Sequence, residues 1–361
     1  METAQSLLSH LPPWPVLRAW LSSAWLLAAL LQAVFVVMDK RSPVATLAWL
    51  IVLTLLPVVG LLVYWGFGPQ RVKRQRLRRF RGRARLASQA ELKLLREERA
   101  DVPPRTVHHA RLIERACGMP VSTATSVTIL QDGVCTLRAM LEAIAASKRH
   151  IHLEYYIYEP DEIGLQLMAA LVERLRAGVK VRLLVDAVGS PRLISRRGRR
   201  FLREYLELGG QFEVFHPTRF DRLRPLVNLR SHRKILVCDG RVGFTGGINV
   251  TEDENEEVRE DAYRDTHVRL EGPVVRWLQL VFLEDWVYAR GRRDFPNFDE
   301  ELHADLVPGA IAVQVIASGP DTDGEAIHRA MNDAFYKAQQ RVWLATPYFV
   351  PTEASLYALT D

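Results

Sequence analysis

Two long apolar stretches open the chain, and short apolar runs alternating with amphipathic stretches follow. Ala19 to Met38 is twenty residues without a formal charge, and Val44 to Phe67 is a second such stretch, containing Pro57 and Gly60. Each is long enough to cross ~30 Å of hydrocarbon as a helix. The polar link from Asp39 to Pro43 is short enough to turn one back on the other. A two-helix transmembrane hairpin is therefore expected over residues 1–68, with Trp14, Trp20 and Trp65 at interfacial heights. A cleaved signal peptide is the competing reading, but no Lys or Arg precedes Arg18 and a second apolar stretch follows at once.

From about Val127 the periods switch between those of strands and helices, as in an α/β domain. Strands are expected at Val127–Leu130, Ile151–Tyr158, Val179–Val185, Phe212–Phe215, Ile235–Cys238, Val242–Thr245, Thr266–Leu270, Ile311–Ala317 and Val342–Pro347. Helices are expected at Thr136–Ser147, Leu165–Ala177, Arg200–Leu208, Pro273–Tyr288 and Glu325–Gln339, with Leu137, Leu141 and Ile144 on a core-facing stripe. The chain also repeats itself. Arg138-Ala139-Met140 recurs as Arg329-Ala330-Met331, and at the same offset Leu153 meets Leu344 and Pro160 meets Pro351. A helix, strand, proline unit repeated in order marks a second half beginning near residue 312. The expected organisation is a membrane hairpin over 1–68, a linker over 69–118, a first catalytic half over 119–311 and the start of a second half over 312–361.

Charge changes the picture of the linker. Residues 71–85 hold nine Lys and Arg and no acid, and without them the formal net charge of +6 falls to −3. Basicity is thus local, directly after an apolar stretch. A nucleic-acid arm is one reading; contact with anionic lipid on the cytoplasmic side is the reading the position favours, with no nucleic-acid partner. Cys117, Cys135 and Cys238 stand apart, without the spacing of a zinc site or disulfide framework, and fit a reducing compartment. Oligomeric state leaves no signature.

The chemistry concentrates between residues 231 and 249. Ser231-His232-Arg233-Lys234 leads into an apolar strand, Asp239-Gly240-Arg241 turns, and a second apolar strand ends in Gly246-Gly247-Ile248-Asn249. Strand alternation sends His232 and Lys234 to one side and Arg233 to the other. An imidazole is neutral enough near pH 7 to attack phosphorus, while the Lys234 ammonium and Asn249 amide offset charge on phosphate oxygens. Gly246 and Gly247 let backbone approach an anion. Asp239 reads either as part of this chemistry or as a turn former.

This spacing, His-x-Lys-x4-Asp-x6-Gly-Gly-x-Asn, resembles the signature of the phospholipase D superfamily. The resemblance implies a phospholipase D-like mixed sheet flanked by helices, with no metal and no cofactor. It makes His232 the nucleophile of a phosphohistidine intermediate, Lys234 and Asn249 the phosphate clamp, and Asp239 the aspartate of the motif. Gly247 stands where many members have serine. Asp265 sits where members place an acid that orients the imidazole; a plain surface carboxylate is the other reading. Within the superfamily the chain is similar to the bacterial cardiolipin synthases, on Leu56-Pro57-Val58-Val59-Gly60, Glu154-Tyr155-Tyr156-Ile157, Leu270-Glu271-Gly272-Pro273, Ser318-Gly319-Pro320 and Thr346-Pro347-Tyr348-Phe349. That implies an inner-membrane phosphatidyltransferase joining two phosphatidylglycerols into cardiolipin and glycerol. No second His-x-Lys follows, and the repeat places its expected position roughly 60 residues past Asp361. The resemblance therefore implies a longer native protein, and little turnover by these residues alone. A membrane phospholipase D, another hydrolase or a non-catalytic scaffold are the alternatives; acceptor alcohol and general acid are not legible.

Overall fold

The computed structural model describes residues 13–38, 43–56, 60, 100–215, 230–291, 305–319 and 325–360. The basic run at 71–85 and residues 61–67 of the second apolar stretch lie outside them. The chain divides into two compact units, Met1–Arg71 and Val72–Asp361.

In the first unit, α1 (Trp14–Met38) is long and apolar enough to span a membrane. The next helix, α2 (Pro43–Leu55), is 13 residues long, too short by itself to cross. The two touch through Val36 and Leu53, which are buried against each other, while Leu30, Leu31, Leu47 and Leu55 point outward. A helix apolar all round suits a lipid surroundings.

The second unit starts with α3 (Val107–Cys117), β1 (Ser122–Ala124), β2 (Ser126–Leu130), α4 (Gly133–Ala146) and β3 (His150–Tyr155). It continues through α5 (Glu162–Arg176), β4 (Lys180–Asp186), the short α6 (Arg196–Phe201) and α7 (Arg203–Glu207), and β5 (Gln211–Phe215). Then come β6 (Lys234–Cys238), β7 (Val242–Gly246), β8 (His267–Glu271), α8 (Val274–Arg290), β9 (Ile311–Val313), α9 (Ala326–Lys337) and α10 (Glu353–Thr360).

Seven strands form one mixed sheet in the order β2-β8-β7-β6-β3-β4-β5. The β3, β4 and β5 strands run parallel, joined by helical crossovers, and the other neighbours are antiparallel. The central strands β3, β4 and β6 are covered on both faces; β6 is apolar after Lys234, whereas β3 and β4 also bury the polar His150, His152, Glu154 and Arg182. One face packs Ile151, Leu153, Leu183 and Leu236 against α4 and α5. The other packs Leu184, Ile235 and Val237 against α8, whose Trp277, Phe282 and Trp286 are buried. Side-chain caps start the covering helices: Asp132 accepts from the Cys135 N–H at 2.7 Å and Asp161 from the Gly164 N–H at 3.0 Å.

The expected mixed sheet flanked by helices is the observed one, and of the expected two-helix hairpin one helix, α1, is long and apolar enough to span a membrane among the described residues. Details differ. Ile311–Ala317 shortens to β9, which pairs with β1 in a separate two-stranded ribbon. Residues 342–347 form no strand, because the described residues offer that segment no neighbour to satisfy its backbone groups. The repeated helix forms twice, as α4 and α9.

Candidate active site

Strand ends meet at the carboxyl edge of the parallel strands, where ligands bind in open α/β sheets. Tyr156 follows β3, Asp186 ends β4, Lys234 begins β6, Gly246 ends β7 and His267 begins β8. His232 lies just before β6, in irregular backbone that one main-chain bond ties to β3, from the Tyr156 N–H to the Arg233 carbonyl at 3.1 Å.

His232 and Lys234 point the same way. The Lys234 Nζ lies 3.2 Å from both Nδ1 and the carbonyl oxygen of His232. An ammonium only donates, so Nδ1 accepts here and a neutral His232 carries its proton on Nε2. The Tyr156 ring packs on the imidazole at 4.5 Å between centroids and lies 5.6 Å from the ammonium. Burial and the Lys234 charge lower the His232 pKa below its usual value, with Asp186 opposing, so the imidazole is neutral at pH 7. Burial brings Lys234 down to about 8 against the pull of Glu254 and Asp265. The site thus holds a neutral imidazole beside a cation poised near physiological pH.

Ser231 and Arg233 face α8. Ser231 donates to Glu154, and Arg233 ion-pairs with Asp285, whose side chain is 1% exposed. Burial and the neighbouring Asp285 charge push the Glu154 carboxyl well above its ordinary range, so it stays protonated. Burial works against the Arg233 charge, but the charge and hydrogen bond of Asp285 outweigh it and hold the guanidinium ionised. On the β4 side Asp186 accepts from the Val188 and Ser231 N–H groups at 2.8 and 3.2 Å, fixing the backbone next to His232.

The other motif residues are placed as follows. Asn249 is braced: its Oδ1 accepts from the Ile157 N–H at 3.2 Å, while its Nδ2 and its backbone N–H each donate to Glu254 at 2.7 Å. One Nδ2 hydrogen remains for a ligand. The loop carrying Glu254 is held to α5 by the Glu252 N–H donating to Asp161 at 2.9 Å. The Gly247 N–H donates to the Thr266 carbonyl at 2.9 Å, so it faces the neighbouring chain segment. A Cβ on Gly247 would meet the Asp265 carboxylate at about 2.1 Å, so the glycine makes room for that acid. Asp265 is exposed and close enough to raise the Lys234 pKa.

Asp239 stands at the far end of β6. Its carboxylate accepts from the N–H groups of Lys148, Arg149 and His150 at 2.8, 2.8 and 2.9 Å, and its own backbone is left-handed at φ 54°. The hairpin tip is thereby clipped to the start of β3. Asp239→Ala is expected to lower stability by about 2–3 kcal/mol through three charge-assisted bonds to backbone. Thermal unfolding in detergent checks this, and a melting temperature within one degree of the unsubstituted protein would exclude the clip.

The sequence motif does not reach Tyr156, Asp186, Glu254 and His267, which the fold brings to the site. Asp186 had a signal, an acid ending an apolar strand of the parallel group; Glu254 had none, because it arrives from a loop. Among the described residues, no group of three or more His, Cys, Asp and Glu side chains could hold a metal ion.

Fold and site together put the chain in the phospholipase D-like class. A family profile described as "Cardiolipin synthase, PLD-like domain" matches residues 140–286, and one described as "Phospholipase_D-nuclease N-terminal" matches residues 24–69. The chain is 35% identical over 95% of its length to cardiolipin synthase 1 of Bacillus cereus, spanning 69% of that protein. It is 38% identical over 91% of its length to the cardiolipin synthase of Geobacillus kaustophilus, spanning 65% of it. Among solved structures, a phosphatidylserine synthase from Haemophilus influenzae matches at TM-score 0.48 and 14% identity, over 71% of this chain and 62% of that one. The chain belongs to the bacterial cardiolipin synthase family.

Proposed function

We propose that this chain carries the nucleophilic site of a membrane phosphatidyltransferase that joins two phosphatidylglycerols into cardiolipin and glycerol. Relatives named cardiolipin synthase support the reaction class. The observation that carries the mechanism is the neutral His232 imidazole held 3.2 Å from the Lys234 ammonium. His232 attacks the phosphorus of the first lipid and forms a P–N bond as the P–O bond to glycerol breaks. The leaving glycerolate takes a proton, so a general acid is required, and no residue described above is assigned that work. A hydroxyl of the second lipid then gives up a proton and attacks phosphorus, and the P–N bond returns its electrons to His232. Lys234 and the free Nδ2 hydrogen of Asn249 stabilise the charge on the non-bridging oxygens. Asp239 acts on this site only through the fold.

The α1 helix anchors the enzyme in the inner membrane, and the basic run at 71–85 keeps the catalytic unit on the cytoplasmic side against anionic lipid. Hydrolysis by water in place of the second lipid is the alternative outcome of the same intermediate.

The test is to quench the full-length protein in single turnover with phosphate-labelled phosphatidylglycerol. Label that is base-stable and acid-labile and maps to His232 is expected. Labelled product without any protein-bound label would overturn the covalent route.

A further inference from the structure

One buried group near the site has no role in the mechanism above. His267 is 0% exposed, and among the described residues neither ring nitrogen has a hydrogen-bond partner. A neutral imidazole carries one donor and one acceptor, and leaving both buried and unmet is costly enough to call for a reason. Burial first, and the Lys234 charge second, depress its pKa to about 3, so the ring is neutral under working conditions.

Sheet register shows what the ring faces. Tyr155 pairs with Lys234 and Ile235 with Thr245, so the next rung brings Lys234 level with Gly246. Gly246 pairs in turn with His267. Side chains on one rung share a face, so Lys234 and His267 look across the same face with only a glycine between them. A Cβ on Gly246 would lie 2.5 Å from the Thr266 carbonyl oxygen, 2.6 Å from the His267 Cα and 2.7 Å from its Nδ1, so the glycine leaves room for both the β8 backbone and the imidazole. Any larger residue there would displace the start of β8 together with the ring.

Lys234 is at present engaged with the nucleophile. Its donation to Nδ1 of His232 blocks that nitrogen and holds the proton on the other. Neither nitrogen of His232 is then free to attack, so the contact must break before phosphoryl transfer. Glu254 and Asp265 offer the ammonium compensating charge nearby, and His267 offers an unused acceptor.

We propose that His267 is a positioning residue for Lys234, its acceptor nitrogen receiving the ammonium across Gly246 when a phosphate group enters, which releases His232 for attack. The ammonium keeps its remaining hydrogens for the phosphate oxygens. The His232 proton moves from Nε2 to Nδ1 through solvent with no net change, exposing the Nε2 lone pair. This inference rests on the nucleophilic role of His232 but is separately testable.

In protein labelled with nitrogen-15 at histidine, ring shifts report the tautomer of His232 and hydrogen bonding at His267. Saturating inorganic phosphate is expected to convert His232 from the Nε2–H to the Nδ1–H form and to move one His267 nitrogen in the direction of an accepted hydrogen bond. In His267→Phe, His232 should stay in the Nε2–H form with phosphate present. His267→Gln, which keeps an acceptor, should switch as the unsubstituted protein does. In full-length enzyme, His267→Phe should lower kcat about tenfold or more with KM little changed, and Gln should recover most of it. An unmoved His267 signal in unsubstituted protein would overturn the inference even where His267→Phe fails to fold. A normal tautomer switch in folded His267→Phe would do the same. Failure to trap label on His232 would instead overturn the nucleophile assignment and leave the ring shifts to speak for themselves.

Discussion

His232→Ala in the full-length protein is expected to abolish cardiolipin formation, a loss of roughly 10³-fold or more, with KM little changed, because the group that forms the covalent bond is gone. Lys234→Ala removes charge stabilisation without removing the nucleophile, and should cost about 10²- to 10³-fold while leaving measurable turnover. The pH profile separates the two roles. As the proposed nucleophile His232 must be neutral to attack, so activity is expected to rise as pH passes upward through its lowered pKa, below the usual 6.5. Lys234 acts as the cation, so activity falls as pH rises past about 8. Lys234→Arg should lift the falling limb, since guanidinium does not titrate there. Product formation assayed in vesicles of phosphatidylglycerol measures all of this. Turnover by His232→Ala at the level of the unsubstituted enzyme would remove His232 from the chemistry.

Arg233→Met should be the most destabilising single change at the site, costing about 3–5 kcal/mol, because it strips the cation from a buried pair and leaves Asp285 charged. Glu154 is already held protonated beside it by burial and the Asp285 charge. The damage reaches the nucleophile, since Ser231 and Arg233 flank His232 and are the residues tied to Glu154 and α8. Adding Asp285→Leu to Arg233→Met should recover much of the loss, as apolar groups can replace a buried ion pair at little cost. Denaturant unfolding of the two variants and the unsubstituted protein in detergent is the measurement. A change under about 0.5 kcal/mol for Arg233→Met would show that the pair does not hold the strand end.

Local patterning determined a good deal here. The apolar runs placed the strands of the large sheet within a residue or two, except that β3 ends three residues earlier than expected, because strands in the middle of a sheet are rich in apolar residues. The His-x-Lys spacing determined that two side chains share a side, since the period of a strand is two. It also sent Arg233 to the opposite face, where α8 waits with Asp285. Patterning failed at residues 342–347, where an apolar run forms no strand because strand geometry depends on a hydrogen-bonding neighbour. It also overextended the second strand of the ribbon, giving seven residues where β9 has three.

What the sequence could not decide was which distant residues meet. Asp239 is seven residues from His232, yet β6 carries it to the other end of the sheet, where its carboxylate bonds three amides some ninety positions away. Asp186 and Glu254 are remote in sequence and arrive beside His232 and Lys234 through a parallel crossover and a loop pinned to α5. Residue types and their local period determined the proposed nucleophile, the proposed clamp and the candidate membrane helix. Strand order and register, which are set by long-range pairing, decided the tuning of both pKa values and the place of His267 across Gly246 from Lys234.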